Sequence, residues 1–429
     1  MIRWIAALCV CFATVVVADD RPNVVVILAD DLGYADLSCQ GSKQAKTPNI
    51  DTIATNGIRF TDGYVSCPVC SPSRAGLLTG RYQQRFGLEF NPRPEAEHFG
   101  LPVDQVTIAD VMKKAGYATG MIGKWHEGNE PQFHPNRRGF DEYYGFLGGH
   151  HPYIDFKNIV RNETPVDDSG YLTDAFGREA VAFVDRHKSQ PFFLYLAFNA
   201  VHTPLQATQK YLDRVPDIRA PKRQKMLAML SAMDDAVGEL LKKLDDEKLT
   251  EKTLVIFLSD NGGETPSNAS RNEPLSGIKG ELLEGGIREP FMVQWKSHIK
   301  PGQVSSVPII SLDIFPTVAA VAGAAVPENI DGKNLKPLLT GESNAQVHDA
   351  LYWRYGTQSA IRVGDWKLEN FKLTGRRLYN LKDDLAENHD LSAADPDRVQ
   401  QMQAMYDQWN SQNRPPKWAG KEKEDAGEH

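Results

Sequence analysis

The stretch Asn23-Val24-Val25-Val26-Ile27-Leu28-Ala29-Asp30-Asp31 joins an apolar run to two adjacent carboxylates. The run from Asn23 to Ala29 is rich in β-branched residues, which is typical of a parallel strand buried on both faces. Ligands bind outside the carboxyl ends of such strands in open α/β sheets, and Asp30 and Asp31 stand at that end. Adjacent carboxylates repel each other unless a cation lies between them. The stretch therefore predicts an α/β fold with a cation site, the alternative for the pair alone being a helix cap beside a solvated acid.

A second apolar strand ends in the same way. Thr253 to Leu258 is followed by Ser259-Asp260-Asn261-Gly262-Gly263. Carboxylate and amide oxygens are the hard ligands that Ca²⁺ prefers, although Asp-Asn-Gly-Gly on its own also predicts a turn. Strands are also predicted at Tyr117 to Ile122, Pro191 to Phe198 and Phe291 to Trp295.

The motif Cys70-Ser71-Pro72-Ser73-Arg74, with its tail Leu77-Leu78-Thr79-Gly80, predicts a short helix. Pro72 suits a first helical turn, and Ser71 is a candidate cap. Cys70 would then lie at the helix N-terminus, where the dipole favours an anion, with Arg74 one turn on. The alternative is a buried structural cysteine beside a helix cap.

Basic residues and histidines follow other predicted strands. Lys124 and His126 come after the strand that begins at Tyr117. They are two positions apart, and in an extended backbone residues at that spacing face the same side. His202 follows the strand that begins at Pro191, and Lys279 lies in a loop that is rich in glycine. Taken singly, Lys124 and His126 would more often be surface residues.

These motifs resemble, in the same order along the chain, those of the type I sulfatases of the alkaline-phosphatase-like superfamily. The matched segments are Cys70 to Gly80, Gly116 to His126, Lys279-Gly280 and Glu284 to Pro290, together with the two strand ends. The resemblance is nearest to carbohydrate sulfatases that act on galactose or N-acetylgalactosamine 6-sulfates. It implies a large, mostly parallel sheet sandwiched by helices, with a small C-terminal antiparallel sheet and a helix across it.

The resemblance also implies the chemistry of the site. Cys70 would be oxidised by a maturation enzyme to formylglycine, whose hydrated aldehyde is the nucleophile. Ca²⁺, or Mg²⁺ in its place, would be bound by oxygen donors and residue 70. The implied metal-binding residues are Asp30, Asp31, Cys70, Asp260 and Asn261.

Roles for the remaining residues follow from the same resemblance. Arg74 and Lys124 would hold the nucleophile and stabilise charge, and His202 with Lys279 would protonate the leaving alcohol. His126 would take the proton that lets the aldehyde re-form. The family usually has an apolar residue where Glu127 stands, which affects the expected substrate contacts nearby.

The stretch from Phe133 to Tyr153 is predicted to be a long loop, and long loops are often functional. It resembles the matching segment of galactose-type sulfatases. His150, His151 and Tyr153 are therefore candidates for contact with the sugar, and packing of turns is the alternative. The expected substrate is a sulfated galactan such as carrageenan, or a glycosaminoglycan.

The N-terminus has the pattern of a signal peptide over residues 1–18, with Arg3 before an apolar segment and Ala18 before the cleavage point. Export to the periplasm or the medium is expected, without a membrane anchor after cleavage. The net charge of −8 argues against nucleic acid as a partner. Cys39 and Cys67 remain as candidates for a disulfide if Cys70 is modified.

A catalytic domain is predicted over residues 19–345 and a C-terminal subdomain over 346–429. The subdomain should hold four short strands and a helix from Pro396 to Trp409, and the charged chain after Pro415 is expected to be disordered. Two other functions are compatible with the sequence. One is a phosphatase or phosphonate monoester hydrolase of the same superfamily, and the other is a non-catalytic binder of sulfated glycans.

Overall fold

The computed structural model describes residues 20–91 and 99–418 of the chain. The predicted signal peptide, residues 1–18, lies outside the described residues. No helix of the described part is both long and apolar enough to cross a membrane.

A ten-stranded sheet in the order β11-β2-β10-β9-β1-β8-β4-β5-β6-β7 organises the molecule, with a two-stranded β12-β3 pair and a separate four-stranded sheet. Its central strands β9, β1, β8, β4 and β5 run parallel. The strands are β1 Asn23–Ala29, β2 Ile58–Phe60, β3 Gly63–Tyr64, β4 Ala118–Lys124, β5 Glu142–Phe146, β6 Val160–Arg161, β7 Thr164–Pro165, β8 Phe192–Ala197, β9 Thr253–Ser259, β10 Phe291–Gln294, β11 Gln303–Ser305, β12 Ile309–Ile310, β13 Leu351–Tyr355, β14 Gln358–Val363, β15 Trp366–Phe371 and β16 Gly375–Asn380.

Helices cover both faces of the large sheet, because β1 carries apolar side chains on both faces. Val24, Val26 and Leu28 belong to one core, whereas Val25 and Ile27 belong to the other. The helices are α1 Pro48–Thr55, α2 Cys70–Thr79, α3 Ile108–Lys114, α4 Leu172–His187, α5 Gln209–Leu212, α6 Pro221–Asp246, α7 Thr265–Asn268, α8 Glu284–Ile287, α9 Ile314–Ala322, α10 Lys336–Leu339 and α11 Pro396–Asn410.

The four-stranded sheet β13-β14-β15-β16 is antiparallel, and α11 packs against β14 and β15. Its Trp353 is fully buried and donates a hydrogen bond from Nε1 to the carbonyl of Val65, 2.7 Å away. Trp353 therefore belongs to the core on one face of the large sheet. The predicted fold class is confirmed, with a large mixed sheet between helices and a small C-terminal antiparallel sheet.

Three features differ from the sequence-based expectations. The predicted loop from Phe133 to Tyr153 contains β5, which pairs in parallel with β4. Cys39 and Cys67 are both free, with Cys39 Sγ 3.6 Å from a methionine sulfur and Cys67 Sγ 3.8 Å from a backbone carbonyl. The chain after Pro415 packs on the main body as far as Trp418, whose ring lies 4.8 Å from that of Phe99.

A buried cluster of charges joins the C-terminal sheet to helix α8. Lys367 of β15 is fully buried, and its Nζ lies 2.6 Å from Glu387, 3.1 Å from Glu284 and 4.0 Å from Glu369. Burial raises the pKa of Glu387 to about 8 and that of Glu369 to about 7. Lys367, with Arg288 and Arg362, overcomes burial and lowers the pKa of Glu284 to about 2, so Glu284 is the carboxylate that the ammonium of Lys367 neutralises.

Replacing this lysine by an apolar residue of similar length should destabilise the protein. In Lys367→Met the carboxylates lose a buried partner, and breaking a buried ion pair costs about 3–5 kcal/mol. Urea unfolding followed by circular dichroism measures the change. The exposed Lys382→Met is the control and should alter the unfolding free energy by no more than about 0.5 kcal/mol. Equal urea midpoints for the two variants would contradict the assignment.

Candidate functional site

The carboxyl ends of β1 and β9 bring four polar side chains together. The two strands are parallel neighbours in which Ala29 lies opposite Ser259, so the residues that follow them are adjacent. Asp30, Asp31, Asp260 and Asn261 are all buried. The predicted convergence of the two strand ends is thus present in the structure.

The backbone at this point is held by neighbouring loops. Asp31 adopts a left-handed conformation with a φ of 58°, which is uncommon for a residue with a side chain. Its carbonyl accepts hydrogen bonds from Asn268 Nδ2 at 3.0 Å and from Ser270 Oγ at 2.8 Å. Asn268 and Ser270 were not predicted as site residues, because no local sequence pattern indicates that a residue in a polar loop hydrogen-bonds to a distant backbone carbonyl.

Helix α2 begins at Cys70 and ends at Thr79, and the Gly80 that caps it has a φ of 63°. The helix is buried along its whole length, and the preceding Val69 provides no side-chain cap, so the capping role expected of Ser71 is not observed. Cys70 Sγ lies 3.6 Å from Asp30 Oδ1 and 4.0 Å from Asp31 Oδ1. Burial raises the pKa of the Cys70 thiol to about 12.

Three cations surround the carboxylates. Lys124 Nζ lies 2.7 Å from Asp30 Oδ2, and Lys279 Nζ lies 2.7 Å from Asp31 Oδ1. The guanidinium of Arg74 donates to Asp260 Oδ2 from Nε at 2.9 Å and from NH2 at 2.7 Å, and its NH1 donates to the carbonyl of Lys124. Three buried carboxylates thus face two buried cations and one, Lys279, that is 12% exposed.

The surrounding charges shift the pKa values in opposite directions. Burial alone would raise the pKa of Asp30, but Lys124, with smaller contributions from His202 and Arg74, holds it below its ordinary range. Burial and the charge of Asp30 raise the pKa of Asp260. Burial opposes the charge of Lys279, but Asp31, Cys70 and Asp30 together outweigh that effect and raise the pKa of the ammonium well above its usual value.

The donor set fits a divalent cation. Asn261 donates its Nδ2 to Asp31 Oδ1 at 2.7 Å, whereas its buried Oδ1 has no hydrogen-bond partner within the described ranges. One potential ligand atom from each of Asp30, Asp31, Cys70 and His202 lies within 4.8 Å of all the others. Oxygen-rich sites of this kind suit Ca²⁺ or Mg²⁺. His202 was not among the residues predicted to bind the metal.

Two histidines flank the cluster with different surroundings. His202 Nε2 lies 3.6 Å from Asp31 Oδ2, and its Nδ1 donates to the carbonyl of Thr203 at 2.6 Å. His126 is buried, and within the described part of the chain its Nδ1 has no hydrogen-bond partner. Burial, followed by the charges of Lys124 and Arg74, lowers the pKa of His126 well below its usual value.

The three candidates for sugar contact separate in the structure. His150 is exposed, and burial, with the charges of His202 and Lys124, lowers its pKa. His151 is buried, with both ring nitrogens within 2.7 Å of backbone carbonyls. Tyr153 is fully buried, and its hydroxyl donates to the carbonyls of Asn199 and His202. Tyr153 is not accessible to a sugar in this arrangement, because its aromatic side chain is packed beneath the loop.

Comparison with known proteins agrees with this geometry. A family model described as "Sulfatase" matches residues 22–324, and one described as "N-sulphoglucosamine sulphohydrolase, C-terminal" matches residues 279–414. The chain belongs to the sulfatase family. This sulfatase is an enzyme that hydrolyses sulfate esters, and the resemblance seen in the sequence motifs is confirmed.

Relatives of this sulfatase include human arylsulfatase A, which is 36% identical over 392 residues covering 82% of this chain and 75% of the relative. Human N-acetylgalactosamine-6-sulfatase is 34% identical over 380 residues, which cover 82% of this chain and 72% of the relative. Among solved structures, Ps i-CgsB in complex with k-i-k-neocarrahexaose has a TM-score of 0.90 and 39% identity, covering 95% of this chain and 96% of that one. The alkaline-phosphatase-like fold is therefore confirmed.

Glu127 is a buried acid beside the site of this sulfatase. Its side chain is not exposed, and neither carboxyl oxygen has a hydrogen-bond partner among the residues described. Burial raises the pKa of Glu127 well above its ordinary value, an effect that Arg74 and Arg138 only partly offset. Burial therefore favours the neutral form of this side chain.

Removing the amide of Asn261 should weaken binding of a divalent metal. Asn261→Leu keeps the side-chain volume but loses the buried Oδ1, which is the potential metal ligand, and the hydrogen bond that Nδ2 donates to Asp31. For the parent protein, calcium at a hundredfold excess over its Kd should stabilise folding by about 2.7 kcal/mol. Titration of calcium against the melting temperature should show at least a tenfold weaker Kd in the variant. Asn388→Leu, at an exposed position, is the control, and equal Kd values in both variants would exclude Asn261 from the metal site.

Proposed function

We propose that this sulfatase removes O-sulfate groups from galactose or N-acetylgalactosamine units of a sulfated polysaccharide outside the cell. The observation that carries the chemistry is the position of Cys70, at the start of a buried helix and within 4.0 Å of two carboxylates. The similarity to N-acetylgalactosamine-6-sulfatase and to a protein crystallised with a neocarrahexaose supports galactose or N-acetylgalactosamine as the sugar. A galactan such as carrageenan, or a glycosaminoglycan, is the proposed polymer.

The proposal includes two groups that complete the site. A maturation enzyme would convert Cys70 to formylglycine, and Asp30, Asp31, Asp260 and Asn261 would bind Ca²⁺ together with residue 70. When bound, these groups would supply a hydrated aldehyde as the nucleophile and a positive charge that polarises the sulfate. The proposed signal peptide, residues 1–18, would direct export, and the proposed catalytic domain would span residues 19–345 before the C-terminal subdomain.

The cations of the site are suited to a transferring sulfuryl group. Arg74, Lys124 and Lys279 are buried or nearly so, and each contacts a carboxylate at 2.7 Å. Charges that are already fixed in a site without water stabilise a developing negative charge more than mobile solvent does. We assign Arg74 and Lys124 to stabilisation at the nucleophile, and Lys279 to the sulfate near the leaving oxygen.

The two histidines are suited to opposite proton transfers. Because His202 keeps its Nδ1 proton in a hydrogen bond to a carbonyl, it can protonate the departing sugar oxygen only from Nε2, and it must enter that step as the imidazolium, with a proton on both ring nitrogens. His126 is neutral at neutral pH, since burial lowers its pKa, and it can therefore accept a proton. The exposed His150 is the remaining candidate for contact with the sugar.

Removing the ammonium of Lys279 should slow catalysis without unfolding the chain. Loss of one preorganised charge at a transferring group costs about 10²- to 10³-fold in kcat. We expect Lys279→Ala to lower kcat/KM for para-nitrophenyl sulfate in that range, with an unchanged circular dichroism spectrum. Lys300→Ala, an exposed lysine, is the matched control. Unchanged kcat/KM in Lys279→Ala would remove this residue from the site.

The proposed function is tested on protein from its own host, or on protein made together with a formylglycine-generating enzyme. Mass spectrometry of the peptide that contains Cys70 should give the mass of formylglycine. Sulfate release is then measured on sulfates of galactose, N-acetylgalactosamine, glucosamine and fucose. We expect release from the first two. An intact thiol would contradict the nucleophile, and reaction of only glucosamine or fucose sulfates would contradict the substrate.

A further inference from the structure

The first turn of helix α2 receives a hydrogen bond from a side chain outside the helix. The backbone N–H of Ser71 donates to Asn91 Oδ1 at 3.0 Å. Val69, which occupies the N-cap position, makes no such bond with its own side chain. The first N–H groups of a helix have no partner within it, and a side chain from elsewhere can supply the acceptor. Asn91 therefore caps α2, although 20 positions separate it from Ser71.

The capped N–H lies directly beside the residue that bears the nucleophile. It belongs to the peptide group that also contains the carbonyl of Cys70, and a peptide group is planar and rigid. The next residue, Pro72, has no N–H to offer, and the N–H of Ser73 donates to the carbonyl of Val69 at 3.2 Å. The bond from Asn91 therefore fixes the backbone on the C-terminal side of residue 70.

The segment that carries this cap is held in turn by the C-terminal sheet. Glu89 is buried, and its Oε2 accepts hydrogen bonds from Arg354 of β13, from Nε at 2.9 Å and from NH2 at 2.7 Å. Its Oε1 accepts the backbone N–H of Gly356 at 2.9 Å. The ring of Phe90 lies 5.2 Å from that of Tyr355. The cap residue follows directly, so it extends from a backbone that is fixed by charge and by ring packing.

Arg74, one turn further along α2, is anchored independently of this cap. Its guanidinium donates two hydrogen bonds to Asp260 and one to the carbonyl of Lys124. Loss of the cap would therefore leave the cation in place and release only the start of the helix. The effect should fall on the geometry of residue 70 and spare the charges that bind the sulfate.

We propose that Asn91 is a positioning residue, which holds the peptide group after residue 70 and thereby directs the nucleophile toward the sulfur atom. It acts through residue 70 and not on the sulfate itself. This inference rests on the function proposed above, in which residue 70 is the nucleophile. Misplacing a reacting group by about 1 Å can slow a reaction about 100-fold. Removal of the cap should therefore lower kcat and leave KM nearly unchanged.

The test measures hydrolysis of para-nitrophenyl sulfate by variants made together with a formylglycine-generating enzyme. Mass spectrometry gives the fraction of each variant that contains formylglycine, and kcat is expressed per modified molecule. Asn91→Ala, which removes the acceptor, should lower kcat about 10- to 100-fold with KM within about twofold of the parent. Asn91→Asp keeps an oxygen that accepts the N–H, so its kcat should stay within about threefold of the parent. Asn388→Ala, at an exposed position, is the matched control.

The melting temperature separates positioning from stability. One helix cap is a small part of the folding free energy of 429 residues, so Asn91→Ala should lower the melting temperature by only about 1–3 °C. The assay is run well below the transition, where the variant is folded. If Asn91→Ala does not fold, Asn91→Ser, whose shorter side chain withdraws the oxygen from the N–H, takes its place with the same expected loss.

The outcomes distinguish this inference from the proposed function. An unchanged kcat in Asn91→Ala, or a loss that disappears once the rate is expressed per modified molecule, would overturn the role of Asn91 and leave the nucleophile intact. An Asn91→Asp variant as slow as Asn91→Ala would also overturn it, because the acceptor would then be irrelevant. An active parent with an intact thiol at Cys70 would overturn the proposed nucleophile, and the inference with it.

Discussion

Charge neutralisation at the ends of two parallel strands is the constraint on which the rest of this structure depends. Asp30 and Asp31 follow a strand with no exposed surface, and Asp260 follows its neighbour. Buried carboxylates are costly unless cations and hydrogen bonds compensate them. Arg74, Lys124 and Lys279 meet that requirement from three separate segments, so the fold must bring those segments together in order to be stable at all.

The C-terminal sheet extends the same principle to a second place. Gln358 reaches across to fix the loop after Lys279, and Lys367 lies among carboxylates from both parts of the chain. Buried polar networks are stabilising only when their members are satisfied together. The small sheet is therefore a structural support for the catalytic loop.

The sequence allowed prediction of those parts that depend on local pattern. The strand before Asp30, the four C-terminal strands and the helix at Cys70 were all recognisable from hydrophobic runs, Pro and Gly. Strand β5 was missed because Tyr143, Tyr144 and Gly145 resemble a loop, and pairing with β4 overrides that preference. Tyr153 was a candidate for contact with the sugar, yet long-range packing beneath the loop buries it. The support that Asn268 and Ser270 give to Asp31 comes from 237 and 239 positions away, which no local pattern reveals.

The complete burial of helix α2 imposes an order of events during biogenesis. Cys70 is 1% exposed, and every residue of the helix that it begins is buried. An enzyme that acts on Cys70 must reach its side chain, which the native packing of helix α2 prevents. Any such modification must therefore precede folding. The fraction of modified molecules then depends on the rate of modification relative to the rate at which the chain folds. Slower folding would give a more completely modified population.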